Sequence, residues 1–214
     1  PERLMVSALS GSFWSGTAAR SAWLLDDGAL VLGRVRWHLS PLSLVSLRPK
    51  VLMSLAWGGQ QLNGVFRRNL SGNIVVKDFH AEFDSGLIRQ MVPLYIGGRV
   101  VADFSEVLIA SHQLQSLDGK VLWQDAVGAA AAGDVPLGDY QLRLSGQDSN
   151  VQGRVTTLSG GLVVAGDLEV TENNYEIDLD LSGPATANAE LARALQLIAA
   201  PTATGFDMVI NGRL

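Results

Sequence analysis

Three histidines are the natural candidates for acid–base chemistry in this 214-residue sequence. His38, His80 and His112 each lie in a strand-like alternation with polar neighbours, and no serine nucleophile stands in a recognisable motif beside them. The chain has no cysteine, which excludes thiolate nucleophiles, thiolate metal sites and disulfides. It also lacks a G-x-S-x-G elbow, a Walker lysine loop and an H-E-x-x-H pair. We therefore predict that the protein is not an enzyme.

A run of carboxylates is the next candidate for chemistry. Glu176, Asp178 and Asp180 share one face of a predicted strand, and Glu169 or Glu172 across the hairpin could join them around Ca²⁺. A calcium site usually adds loop carbonyls and a tighter cluster of ligands, whereas a charged solvent face discourages edge-to-edge aggregation. We favour the solvent face, expect no metal or cofactor, and keep the three carboxylates as candidate partner contacts.

Large aromatic and paired basic residues supply the other candidate contacts. Trp14 is flanked by serines and glycines, so it is a candidate for an exposed partner contact, and Arg67-Arg68 is expected at the polar tip of a turn. Trp37 and Trp123 are expected to anchor the core. The formal net charge of −5 argues against a nucleic-acid partner, which would require clustered basic residues.

The elements that must position these residues are β-strands. With 23 glycines, 47% hydrophobic and 17% charged residues, the composition indicates many short strands joined by tight turns. Period-2 alternation recurs along the chain, as in Val31 to His38 and Tyr140 to Ser145, which is typical of half-buried antiparallel strands. The clearest predicted hairpin runs from Asp167 to Ser182.

The chain also resembles itself at a shift of 86 to 88 residues. Gly33-x-Val35-x-Trp37 matches Gly119-x-Val121-x-Trp123, and the stretch from Leu70 to Val76 matches that from Leu158 to Val164. Each half then carries a predicted short helix, Ser85 to Val92 and Asn188 to Ala200, followed by a proline.

We therefore predict an all-β fold for residues 1–214 as a single domain, with internal repeats at roughly 4–93 and 94–214. Two duplicated antiparallel meanders would form a curved sheet, a sandwich or a half-barrel with one or two short helices.

Several stretches are similar to protein N of the type II secretion system, the general secretion pathway protein N family. They include Trp14-x-Gly16-x-Ala18, Trp37-x-Leu39-x-Pro41, the stretch from Gly119 to Ala126, Leu137-Gly138-Asp139-Tyr140, Gly160-Gly161 and the closing Gly212-Arg213-Leu214. The matches occur in the expected order over nearly the whole chain.

The resemblance implies the periplasmic domain of a bitopic inner-membrane protein that assists export of folded proteins across the outer membrane. Its implied partners are other secretion components, above all the inner-membrane assembly platform, with the secretin-linking protein as a second candidate. No window of about 18 apolar residues is present, so membrane contact is expected only through an N-terminal anchor outside this sequence.

Two other functions remain open on sequence alone. A curved sheet with repeated apolar strands would also suit a lipid- or amphipath-binding groove of the bacterial envelope. A glycan-binding or glycan-degrading β-domain would need paired carboxylates across a cleft beside aromatic platforms, and no clear pair is visible.

Overall fold

The computed structural model describes residues 4–25, 28–86, 96–110, 113–128, 133–171 and 174–213. Within these ranges, fourteen strands form one open antiparallel sheet whose spatial order follows chain order until β14, which lies between β12 and β13. The strands are β1 Leu4–Gly11, β2 Ser15–Leu25, β3 Gly28–Leu39, β4 Lys50–Trp57, β5 Gln60–Arg68, β6 Ile74–Asp84, β7 Ile96–Ala110, β8 Gln113–Gly128, β9 Val135–Gln147, β10 Asn150–Ser159, β11 Val163–Thr171, β12 Asn174–Ser182, β13 Ala200–Pro201 and β14 Gly205–Arg213.

The two faces of the sheet differ because alternate residues point to opposite sides. The strand register aligns one apolar residue or glycine from each of thirteen strands in a continuous row, which we call the apolar row: Leu9, Ala18, Val35, Leu55, Leu62, Ala81, Ala102, Val121, Leu142, Val155, Gly166, Leu179 and Met208. At about 4.8 Å per strand, this row extends for roughly 60 Å along the sheet.

The neighbouring row lies on the opposite face and is almost entirely polar. We call it the polar row, and it consists of Ser10, Thr17, Arg36, Ser54, Asn63, His80, Asp103, Lys120, Arg143, Arg154, Asp167, Asp178 and Val209. The period-2 pattern seen in the sequence therefore produces one apolar and one polar face. Both run from the first strand of the sheet to the last long one.

Bulges bend this sheet. Register shifts interrupt the pairing of five strand pairs, β2–β3, β5–β6, β7–β8, β8–β9 and β9–β10. Each extra residue increases the local twist and bends its strand. All described strands belong to one open sheet and do not divide into the two packed sheets of a sandwich.

Two short α-helices lie at opposite ends of the sheet. Helix α1, Pro41–Val45, connects β3 to β4, while helix α2, Ala189–Leu195, precedes β13. Asn188 caps α2 by accepting hydrogen bonds from the backbone N–H groups of Glu190 and Leu191. Helix α2 is shorter than the predicted Asn188 to Ala200, and a 3₁₀ turn, Pro184–Ala187, comes before it. The predicted helix Ser85 to Val92 lies mostly outside the described residues.

Helix α2 packs on the apolar face of the C-terminal strands. Its Leu195 joins a buried cluster with side chains from β8, β9, β11, β12, β14 and the β10–β11 connection: Ala126, Leu137, Tyr140, Leu162, Val164, Leu181 and Phe206. This is the best-covered part of the molecule, because a helix can bury a sheet face that a single layer of strands leaves open.

The two tryptophans predicted as core anchors occupy similar environments. Trp37 on β3 donates its Nε1–H to the carbonyl of Phe13 at 3.2 Å, and Trp123 on β8 donates to the carbonyl of Gly97 at 3.1 Å. Both are half-buried on the apolar face.

Trp37 and Trp123 lie five strands apart in the sheet. The β5–β6 and β10–β11 turns, which contain the matching stretches Leu70 to Val76 and Leu158 to Val164, are also five strands apart. The duplication itself stays a prediction, and its two halves pair directly through β6 and β7.

Candidate interaction surfaces

The two lateral edges of the sheet differ in how much backbone they leave unpaired. Strand β1 pairs only with β2, so its other side is open along the described residues. Strand β14 is partly covered, because β13 pairs with Asp207 and Phe206. An open edge presents free N–H and C=O groups that can accept a further strand.

Strand β1 also exposes apolar side chains. Met5 is 59% exposed, Val6 45% and Leu9 63%. Charged side chains commonly protect natural edge strands from pairing with other chains, yet none occurs between Leu4 and Gly11. This edge was not among the residues selected from the sequence. The sequence could have predicted it, because a strand of apolar and uncharged residues can be recognised from the residue types alone.

The predicted carboxylate face forms on β12. Glu176, Asp178 and Asp180 are exposed, whereas Tyr175, Ile177, Leu179 and Leu181 alternate with them on the apolar side. The register places Glu169 opposite Glu176, Asp167 opposite Asp178, and Asp180 opposite Asp207. Among the described residues, no group of three or more histidine and acidic side chains has a geometry suited to a metal ion. The arrangement is a surface of directly opposed like charges.

Neutralising part of this carboxylate face is expected to stabilise the fold. In the Glu176→Gln/Asp178→Asn/Asp180→Asn variant, three opposed like-charge pairs are removed, each worth about 0.2–1 kcal/mol. Urea unfolding at low salt should show a higher free energy of unfolding, and the gain should shrink at high salt because screening already weakens the repulsion. Asp148→Asn, in the β9–β10 turn, is the control. A loss of stability at low salt would mean that these carboxylates have a stabilising partner.

Basic side chains lie beside the carboxylate face. Lys120, Arg143 and Arg154 are neighbours on three adjacent strands of the polar row, and all three are exposed. Only Arg154 makes an ion pair within the described residues, with Asp167 at 2.9 Å. The polar face therefore carries a positive strip next to a negative one. A partner with complementary charges would bind this face in one preferred orientation.

Among the described residues, neither His38 nor His80 shares a hydrogen bond with a hydroxyl nucleophile. His80 Nδ1 lies 2.7 Å from an Asp103 carboxylate oxygen, and both side chains line a shallow depression of about 450 Å³ with Ser105. A nucleophile would have to share a proton with the imidazole, but the Ser105 hydroxyl donates to Asp118 instead. His38 is exposed on the polar face, and His112 lies outside the described residues.

The stretch Leu137-Gly138-Asp139-Tyr140 has a structural role. The Asp139 carboxylate accepts from the Ser159 hydroxyl at 2.7 Å and from the Asp125 backbone N–H at 2.8 Å, and these bonds lower the pKa of Asp139. The Tyr140 hydroxyl donates to the Leu162 carbonyl at 2.9 Å. Burial, together with the nearby Asp139 charge, raises the pKa of Tyr140 to about 12, so this phenol stays protonated and holds the β10–β11 connection.

The remaining predicted contacts, Trp14, Arg67 and Arg68, lie at the same end of the sheet. In an antiparallel meander, alternate connections emerge at one end, and these are the β1–β2, β3–β4 and β5–β6 connections. Trp14 lies in the first, while Arg67 and Arg68 end β5 just before the third. The structure thus groups these three residues and separates them from Glu176, Asp178 and Asp180, which lie on β12.

Helix α1, in the middle connection, was missed by the sequence analysis, although Pro41 at its first position is a typical start signal.

None of the helices among the described residues has the length and apolar character needed to cross a membrane.

Comparison with known proteins gives a consistent result. The family model for protein N of the type II secretion system (T2SS) matches residues 2–208. Type II secretion system protein N of Aeromonas hydrophila is 26% identical over 226 aligned positions that cover all of this chain and 86% of the relative. The protein of the same name from Vibrio cholerae is 27% identical over 168 positions, covering 75% of this chain and 63% of the relative. No solved structure matches the chain. The family match covers nearly the whole sequence, including β1 to β13 and the first residues of β14. The chain therefore belongs to the protein N family of the type II secretion system.

Proposed function

We propose that this chain is a non-enzymatic adaptor of the type II secretion machine, the periplasmic domain of a bitopic inner-membrane protein that assists export of folded proteins across the outer membrane. Its partners in this proposal are other components of the machine, first the inner-membrane assembly platform and then the secretin-linking protein. Family membership supports the assignment to the machine. The open edge of the sheet supports the adaptor role.

The observation that carries the proposal is the unpaired, charge-free edge of β1. A partner strand added beside it would gain backbone hydrogen bonds along Leu4–Gly11. It would also cover Met5, Val6 and Leu9, which are now exposed. The backbone bonds would supply affinity, while the alternating side chains would supply specificity.

Strand β14 fits this role less well. Strand β13 already pairs with its first residues, and Asp207 lies on the polar side of that strand. A carboxylate at an edge opposes pairing with another acidic strand and disfavours burial without a basic partner. We therefore assign the partner to the β1 edge.

Photo-crosslinking in the living bacterium tests this assignment. A photoreactive residue is introduced at Met5 or Leu9 on β1, at Trp14, at Arg67 and at Glu176, with the exposed Val209 on β14 as the matched apolar control. We expect Met5 and Leu9 to crosslink to another secretion component and Val209 to give no such product. Crosslinks that arise from Glu176 and not from β1 would contradict the edge assignment, and the products would identify the partner that binds the carboxylate face.

A groove for a lipid or another amphipath is the second candidate, and the apolar row favours it. The row contains no charged residue over its thirteen strands. Its two end members, Leu9 and Met208, are not buried, whereas Ala18, Leu55, Ala81 and Ala102 are. An acyl chain needs such a surface, since it has no groups to hydrogen-bond. Native mass spectrometry of the purified domain should show bound lipid if this function holds. A lipid-free domain that still crosslinks through β1 would exclude the groove and leave the adaptor.

A further inference from the structure

Six exposed apolar side chains are concentrated at one end of the sheet. They lie in the connections β1–β2, β3–β4 and β5–β6, and each is between 44% and 84% exposed: Phe13, Trp14, Leu42, Val45, Leu47 and Leu70. Single exposed apolar residues are normal on a protein surface, but a contiguous set usually marks an interaction site. We call this end of the sheet, residues 12–15, 40–50 and 67–73, the apolar rim.

The three connections of the apolar rim form one surface. The backbone N–H of Leu39 donates to the carbonyl of Trp14 at 2.7 Å, which joins the first connection to the second. The N–H of Arg68 donates to the carbonyl of Pro49 at 3.1 Å, which joins the second to the third. Backbone hydrogen bonds therefore keep the three connections next to one another.

Helix α1 in the middle of the rim departs from the usual orientation at two of its apolar residues, Leu42 and Val45. Surface helices of globular proteins turn their apolar side inward and their polar side to water. Here the Ser43 hydroxyl donates to the Ser40 carbonyl and accepts from the Lys50 N–H, and the Ser46 hydroxyl donates to the Ser43 carbonyl. Leu42 and Val45 are left facing outward, 81% and 84% exposed.

The charges of the rim are all positive. Arg48, Lys50, Arg67 and Arg68 lie in or beside these connections, and the sequence contains no Asp or Glu between residues 28 and 77. No side-chain ion pair involves these four residues within the described part of the chain. The rim thus combines outward apolar groups with uncompensated cations, although the chain as a whole has a net charge of −5.

We propose that the apolar rim docks on the surface of an anionic phospholipid bilayer. Leucine, valine and aromatic side chains at loop tips would enter the boundary between headgroups and acyl chains, and the flanking cations would bind lipid phosphates. Tryptophan favours this boundary because its ring is apolar while its N–H is polar. A lipid surface fits better than a protein partner because it offers both negative charge and a fluid apolar phase to tips on separate loops. Helix α2 and Leu4, where β1 begins, lie at the opposite end and face away from the bilayer, so docking of the rim is independent of the N-terminal anchor in the proposed function.

Vesicle binding by the purified 214-residue chain tests the proposal. The probes are vesicles of phosphatidylcholine alone and vesicles of phosphatidylcholine with an equal part of phosphatidylglycerol. We expect binding to the anionic vesicles, weaker binding at high salt, and little binding to the neutral ones. Arg67→Gln/Arg68→Gln should reduce affinity about tenfold or more, given the contribution of each basic residue near an anionic surface. Leu42→Ser/Val45→Ser should also reduce it about tenfold or more.

A matched control keeps the result specific. Leu158 and Leu197 are 56% and 85% exposed and lie towards the opposite end of the sheet, so Leu158→Ser/Leu197→Ser should bind as the unchanged chain does. Vesicles with brominated acyl chains should quench tryptophan fluorescence in the unchanged chain and much less in Trp14→Phe. All of the substituted residues except Trp14 are well exposed, and an unchanged thermal midpoint would show that the variants fold.

Two outcomes would overturn the proposal. The first is no binding to anionic vesicles, and a rim that then crosslinks to a protein in cells would be a protein-binding site. The second is equal weakening of vesicle binding by the rim and control variants. None of these results bears on the β1 edge, so the adaptor proposal can succeed or fail separately.

Discussion

Replacing Gly138 with alanine is expected to unfold the protein or lower its free energy of unfolding by more than about 3 kcal/mol. Gly138 lies inside β9 where its register with β8 shifts, and its φ of +140° is a conformation that residues with a side chain rarely adopt. A Cβ atom at this position would lie 2.0 Å from the carbonyl oxygen of Ser159 and 2.8 Å from the Cα of Gly160. Both obstacles belong to the backbone of β10 and its turn, so no side-chain rotation can relieve the contact.

The matched control for this change is Gly133→Ala. Gly133 has a similar φ of +120°, but no atom lies within 4 Å of the position its Cβ would take. It should therefore cost only the conformational strain, about 1–2 kcal/mol. Urea unfolding followed by tryptophan fluorescence measures both variants. Equal costs for the two would mean that β9 and β10 can separate without loss of the fold, which contradicts the close packing described above.

Secretion is expected to fall about tenfold or more when Met5 and Leu9 on β1 are both changed to lysine. Both side chains are more than half exposed, so the isolated domain should keep its stability within about 0.5 kcal/mol. Lysine on an edge strand blocks pairing with another strand, because a partner would have to cover two charges. The measurement is the amount of a type II substrate in the culture medium, in a strain whose own copy is replaced by the variant.

Val209→Lys is the control for the edge variant. Val209 is 53% exposed and has a similar apolar side chain. It lies on β14, far from β1 in the sheet, and its side chain is on the polar face. Normal secretion with Val209→Lys and impaired secretion with the β1 variant would support the edge. Normal secretion with both would refute it. Impaired secretion with both would indicate that added positive charge disturbs the protein whatever its position.

The faces of the strands could be predicted from the sequence. Tyr175, Ile177, Leu179 and Leu181 turn to the apolar side because successive side chains of a strand point in opposite directions, whatever the strand pairs with. The hairpin of β11 and β12 formed as predicted for the same reason, with Thr171 opposite Asn174 at its end. Family membership was also predictable, since it depends on the order of short motifs and not on their contacts.

The candidate contact residues were less predictable. Trp14, Arg67 and Arg68 are far apart in sequence, and only the meander brings their connections to one end. Helix α1 has five residues, too few for a periodic pattern, and residue type alone does not distinguish its exposed Leu42 and Val45 from core residues. The function of Leu137-Gly138-Asp139-Tyr140 was hidden because its partners, Ser159 and Leu162, belong to the next turn.

The amino-acid sequence by itself determined that this protein is an antiparallel sheet with one apolar and one polar face. The tertiary structure decided which edge stays open, which charges meet across strands, and which loops gather at one end. The physical reason is the range of the interactions. Alternation is a property of neighbouring residues, whereas register, edges and rims depend on bulges and turns that align residues tens of positions apart.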